Sequence, residues 1–382
     1  MRKRFTRTSD GRTVQTALVY TAKEHGIDPA LLDQDAVKAV RRLQRYDHEA
    51  YIVGGAVRDL LLGKQPKDFD VSTSATPAQI KKLFRNSRII GKRFRLVHLL
   101  FRDKVIEVST FRSREAEGFK NIYGTIDEDV QRRDFSANAL FYNPRDNTIV
   151  DYVQGVQDIR DRVLKPVIPI GRIFVEDPVR IIRAAKYSVA GGLKIPWLLR
   201  RRMKRDQALL ADVPHSRMTE EVFKILNSGY AGGIFQSLLA SGAFRSMIPA
   251  MARLAAERPE YRRKLLDRLG MLDELRRQKG PLDRAMLLVH FCGDFLLEYG
   301  PFADQQRIPF RDAWTATKEF LSPVTPANRE VEEAMREIFR NKGRLLREEP
   351  LDPDEERDGR RRRRRRHPRR RVQSDSASAA NT

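Results

Sequence analysis

A short apolar segment, Tyr51-Ile52-Val53, runs directly into Gly54-Gly55 and then into Ala56-Val57-Arg58-Asp59-Leu60-Leu61-Leu62, which has helical character. No other feature constrains the fold as much, because a strand, a tight turn and a helix in so few residues call for a sheet layered with helices. The two glycines leave backbone N–H groups and a helix N-terminus free to point at an anion, with Arg58 one turn in to add positive charge. Gly54, Gly55 and Arg58 are therefore candidate phosphate ligands. A purely steric Gly-Gly turn accounts for the same residues.

Lys67-Asp68-Phe69-Asp70-Val71-Ser72 follows closely. On a strand, Asp68 and Asp70 project from one face while Phe69 and Val71 go to the core. Two adjacent carboxylates repel, and a divalent cation between them removes the repulsion; hard oxygen ligands suit Mg2+ or Mn2+. The alternative is a solvated turn that happens to carry two acids. Glu107, inside the apolar run Val105-Ile106-Glu107-Val108, can add a third carboxylate from a neighbouring strand. Three carboxylates as metal ligands beside a phosphate cradle describe in-line nucleotidyl transfer.

Short β-branched segments and Gly turns occupy residues 48–150, and Leu, Ala, Arg and Glu at helical spacing dominate from Asp177 to about Leu321, punctuated by Gly191-Gly192 and Gly232-Gly233. The expected class is α+β: a small mixed sheet, then an all-α part. Near Glu348 the periodicity stops, and an acidic patch leads into ten arginines within residues 360–371, a tail too poor in apolar residues to fold alone. The net charge is +23, and it remains strongly positive without that tail, so a polyanionic partner is expected. A single cysteine, Cys292, fits a reducing compartment. No apolar run reaches the roughly 18 residues of a membrane span, and the basic start lacks the apolar core of a signal peptide. A soluble, cytoplasmic, monomeric protein is expected, with no membrane partner.

The string from Gly54 to Gly63 followed by Asp68-Phe69-Asp70 resembles the signature of class II nucleotidyltransferases of the DNA polymerase β superfamily, the group of CCA-adding enzymes and bacterial poly(A) polymerases. Three further blocks are similar in kind and order: Arg132 to Ala139, Glu176 to Arg183, and Arg217 to Lys224. The resemblance covers about residues 48–230. It implies a polymerase-β-like head, with Asp68, Asp70 and Glu107 as metal ligands and catalytic carboxylates, Asp134 as a further catalytic group, and Arg133 beside the nucleotide sugar. It also implies that Asp177 and Arg180 read the base edge of the incoming nucleotide and that Arg183 is available to the phosphates. Asp177 as a plain helix N-cap, with Pro178 at the first helical position, is the simpler reading of that block.

Ile89 to Leu100 is similar to the segment that marks bacterial poly(A) polymerases, and His98 within it is expected to be structural or close to RNA. The implied activity is template-independent addition of AMP from ATP to RNA 3′ ends, of mRNA, small RNA or tRNA. Addition of CCA or A to tRNA is the alternative, and a basic RNA-binding protein with an inactive head is the non-enzymatic one. The expected organisation is a basic arm (1–26), a nucleotidyltransferase head (27–152), a helical neck with the base template (153–230), a helical body (231–346) and an Arg-rich tail (347–382) suited to RNA or protein partners.

Overall fold

Residues 2–7, 13–91, 96–113 and 123–347 are described by the computed structural model of the chain. Nine strands form one mixed sheet: β1 (Arg2–Arg7), β2 (Thr13–Tyr20), β3 (Ala50–Val53), β4 (Asp70–Thr73), β5 (Ser87–Ile90), β6 (Leu96–Leu100), β7 (Val105–Thr110), β8 (Leu140–Asn143) and β9 (Thr148–Asp151). Their spatial order is β1-β2-β9-β8-β3-β4-β7-β6-β5. All neighbours are antiparallel except β4 and β7, which run parallel.

Central β3 is buried along its whole length because both sheet faces are covered. Ile52, Val71, Leu99 and Val108 face one side and join the larger core. That side is covered by the helix Gln34–Arg45, whose stripe of Ala36, Val37, Val40 and Leu43 is buried. Tyr51 and Val53 face the other side, in a smaller cluster with Phe111, Phe141 and two residues of the helix Ile126–Gln131, Ile126 and Val130. Alternation along β4 and β7 puts Asp70 and Glu107 on this second face, away from Val71 and Val108.

The expected arm at 1–26 is corrected by β1 and β2, which belong to the sheet: β2 pairs with β9 in the register Leu18↔Asp151. Thr13–Tyr20 is rich in β-branched and apolar residues, and Ala17 and Tyr20 are buried. Beyond β9 the described chain is almost wholly helical, as expected, and the larger core passes without a break from the sheet through Ile181 and Ala185 to Phe235, Leu269 and Met335. One strand pair interrupts the helices: β10 (Arg307–Pro309) lies parallel to β11 (Leu345–Arg347). Gly191-Gly192 ends the helix Val179–Gly191 as read from sequence, whereas Gly232-Gly233 lies inside the helix Ala231–Ser241. A Cβ on Gly233 would come within 2.9 Å of Val189, so this pair lets two helices approach and does not break one. Among the described residues no helix is long and apolar enough to cross a membrane. The arginine tail and Lys92 to Arg95 lie outside the described residues.

Candidate active site

Pairing of Val53 with Asp70 joins the glycine turn to the acidic pair. The chain leaves β3 through Gly54 at φ 70° and ψ −129°, a conformation that side-chain-bearing residues avoid, and enters the helix Gly55–Leu61. A Cβ built on Gly54 would stand 4.0 Å from Asp70 Oδ2 and 3.9 Å from Arg133 Nη1, so the glycine turn sits directly beside the carboxylate. Phe69 and Val71 are buried, as the alternation predicts, while Asp68 is exposed and Asp70 half-buried.

Register carries Glu107 to the same place. Val71 of β4 lies opposite Val108 of β7, which puts Glu107 one strand away from Asp70. Burial, and then the negative charges of Glu107 and Asp68, push the Asp70 carboxyl up to about 6, against partial relief from Arg133 and Lys224. The three acids do not form a closed cage, since among the described residues no three His, Cys, Asp or Glu side chains stand close enough together to hold an ion. They make an open acidic edge. His98, across β6 from Glu107, has its Nε2 3.4 Å from Glu107 Oε1 and so touches the acidic edge itself.

The carboxylates open into a cleft of about 1560 Å³ whose lining includes eleven lysines and arginines against eight acids. Every residue singled out from the sequence as a site candidate lines it: Gly54, Gly55, Arg58, Asp68, Asp70, Glu107, Arg133, Asp134, Asp177, Arg180 and Arg183. Their bonding differs from the expectation at several positions. Arg58 donates to Asp59 Oδ1 (2.7 and 2.9 Å) and to Asn138 Oδ1 (2.7 Å). Arg133 donates to Asp129 Oδ2 (2.9 and 3.2 Å) and to the Asn138 carbonyl (2.9 Å), with its guanidinium 4.7 Å from the Phe141 ring centre.

Asp134 is buried, and its Oδ1 accepts from the Phe135 amide and from Asn138 Nδ2. Its Oδ2 is 3.0 Å from Arg183 Nε, a purely Coulombic contact because that N–H is directed at the Tyr187 hydroxyl. A carboxylate held this way positions Arg183.

The base-reading pair is also differently engaged. Asp177 is extended and its Oδ1 accepts from the Val179 amide, while Pro178 already has helical dihedrals, so the cap read from the sequence is present. Asp177 Oδ2 accepts from Arg217 Nη2 at 2.6 Å. Arg180 donates to the Ile173 carbonyl (3.0 Å) and to Glu176 Oε2 (3.3 Å). Both line the cleft, but each is bonded to a partner other than its fellow.

Against known proteins, residues 50–165 match the poly A polymerase head domain, and residues 192–255 match a region described as a probable RNA and SrmB-binding site of polymerase A. Poly(A) polymerase I of Escherichia coli O157:H7 is 39% identical over 255 residues, which are 63% of this chain and 55% of that protein. Residues 50–165 thus carry the sequence pattern of a poly(A) polymerase head domain. A CCA-adding enzyme from Geobacillus stearothermophilus is 31% identical over 225 residues, 57% of this chain and 55% of that protein. Among solved structures, a Bacillus stearothermophilus CCA-adding enzyme in complex with CTP superposes with a TM-score of 0.56 at 25% identity, covering 89% of this chain and 83% of that one. The chain thus spans little more than half the length of the curated relatives it matches.

The cleft also gathers residues that reading the sequence left without a role. Tyr187 is the centre of one group: Arg58, Lys186 and Arg183 lie 4.8, 5.5 and 5.6 Å from its ring centre, and its hydroxyl accepts from Arg183 Nε and Nη2 at 3.0 and 2.8 Å. Burial pushes the Lys186 ammonium down, against the pull of Glu221, 3.3 Å away. Lys67 is held by the carbonyls of Asn227 and Ser228. The signal was available for Lys186 and Tyr187, which lie three and four residues beyond Arg183 and so share its helix face.

Proposed function

We propose that the chain is a template-independent poly(A) polymerase that transfers AMP from ATP to RNA 3′ ends and releases pyrophosphate. One observation carries this reading: Asp70 of β4, Glu107 of the neighbouring β7 and Asp68 just before β4 line one open acidic edge of a cleft whose remaining lining carries eleven lysines and arginines against five acids. Asp70 has a raised carboxyl and no hydrogen-bond donor among the described residues, and the set offers hard oxygen ligands only, which fits a divalent cation. Asp68, Asp70 and Glu107 would hold Mg2+ or Mn2+, which when bound activates the RNA 3′-hydroxyl and neutralises charge on the α-phosphate.

The chain's own residues supply the rest. Backbone amides at Gly54 and Gly55, with Arg58, Arg183 and Lys186, receive the triphosphate. Tyr187 and Asp134 hold Arg183 in place for it. Arg133 stands beside Asp70, where the sugar would lie. Asp177 and Arg180 read the base after exchanging Arg217 and Glu176 for its Watson–Crick edge. The region 192–255 carries the RNA, in keeping with the description of its match, and we place the protein in the cytoplasm.

Relatives at 39% identity are poly(A) polymerases and those near 31% are CCA-adding enzymes, which favours the first activity. The superposition on a CTP-bound enzyme keeps CCA addition as the second reading. Labelled ATP or CTP, supplied with Mg2+ and either oligo(A) or tRNA lacking its end, separates the two. Long products from oligo(A) with ATP alone are expected. Incorporation of CTP into the tRNA, with none of ATP into oligo(A), would establish the second. No incorporation of either would leave an RNA-binding protein with an inactive head.

A further inference from the structure

The helix Trp197–Asp206 buries Leu199, Met203 and Asp206, at intervals of four and three residues, and so turns one narrow stripe inward. Opposite that stripe lie Trp197, Arg201 and Lys204. Trp197 is 67% exposed and its neighbour Leu198 60%, far more than such side chains usually show. The Arg201 guanidinium lies 5.6 Å from the Trp197 ring centre. Asp206, the helix's only acid, is buried and taken up by Arg202 and Arg205. Arg200, Arg201 and Lys204 are left with no acidic partner among the described residues.

The helix is anchored to a segment that borders the cleft, through a side chain on a different face from Trp197. Arg202 Nη2 donates to the Gly171 carbonyl at 2.8 Å and so ties the helix to the segment that leads into Ile173–Glu176. Glu176 lines the cleft, and Val175 beside it is 61% exposed.

We propose that Trp197, flanked by Arg200, Arg201 and Lys204, is a stacking platform for single-stranded RNA, holding nucleotides upstream of the 3′ end as they run into the cleft. This rests on the reading that RNA is the substrate, and it deepens that reading by naming the residues and the mode of contact. An exposed indole offers its π-face to a base of any identity, and three unneutralised cations match the phosphates on either side of it. A purely apolar partner would cover Trp197 and Leu198 but would bury the cations unpaired, which is costly.

The chain has two tryptophans, so W314F leaves Trp197 as the sole reporter. In that background, oligo(A) is expected to quench the tryptophan emission, and W197A to weaken oligo(A) affinity on the order of tenfold. The triple change R200Q/R201Q/K204Q is expected to flatten the salt dependence of that affinity by about two units of slope. Unquenched emission together with unchanged affinity in W197A would overturn the platform and leave the face to a protein partner. Quenching needs no catalysis. Loss of AMP transfer with quenching retained would therefore count against the active-site reading alone, whereas full transfer with no quenching would count against the platform alone.

Discussion

Asp70 stays charged at neutral pH only at a cost to the folded chain, because burial and its acidic neighbours raise its carboxyl to about 6. An acid whose folded pKa lies above its unfolded value binds its proton more tightly when folded. The stability this gives is present below about pH 4 and is lost as pH rises through about 6. In the absence of divalent cation, Asp70→Asn is therefore expected to melt a few degrees above wild type at pH 8, from relief on the order of 2 kcal/mol, and to lose that advantage at pH 4. Calorimetry at the two pH values checks this, and parallel pH profiles for both proteins would contradict the crowding of charge at Asp70. The same substitution is expected to lower nucleotide addition below a thousandth of wild type, on the order of 4 kcal/mol of barrier, with RNA affinity nearly intact. A variant retaining more than a tenth of the activity would remove Asp70 from the proposed metal ligands.

Within the helix Val179–Gly191, one turn carries two separable roles. Arg180 near its start faces the proposed base site, and Arg183 with Tyr187 faces the proposed phosphate site. Arg180→Ala is expected to blur the preference for ATP over CTP and GTP by about tenfold or more, since a hydrogen bond from a charged donor contributes roughly 1.5–3 kcal/mol. Unchanged nucleotide preference in single-turnover assays would return Asp177 and Arg180 to capping and packing. Tyr187→Phe keeps the ring beneath its three cations and deletes only the hydroxyl that accepts from Arg183. A rise of several-fold in KM for ATP is expected, with a smaller change in kcat. Equal KM values would show that Asp134 orients Arg183 without help.

For the molecule as a whole, the positive charge is divided between residues 1–358 and the arginine run at 360–371. Removing residues 359–382 takes away none of the described residues that line the cleft. Turnover at saturating RNA is expected to stay near wild type, while affinity for oligo(A) falls and its salt dependence flattens by about 0.7 for each phosphate that the arginines no longer neutralise. Titrations at several salt concentrations test this. Identical slopes with and without the tail would point to a protein partner for the arginines.

Sequence alone determined the chemistry on offer and the class of fold. Gly54-Gly55 between a β-branched run and a helix, and acids at 68 and 70 flanking Phe69, follow local rules of turn geometry and strand alternation, which need no distant partner. Glu107 joined them as an acid inside another apolar run, and family resemblance then placed Asp177 and Arg183 at the same site. Tertiary structure decided what those residues touch. That Glu107 comes beside Asp70 depends on the register of a parallel pair separated by two intervening strands, and no local pattern encodes it. The burial of Asp134 against Arg183, the diversion of Asp177 to Arg217, and the recruitment of residues 2–7 and 13–20 into the sheet likewise come from contacts between segments far apart in the chain. Such contacts are chosen by packing and charge compensation across the whole fold, whereas short-range periodicity reports only which face of its own element a side chain takes.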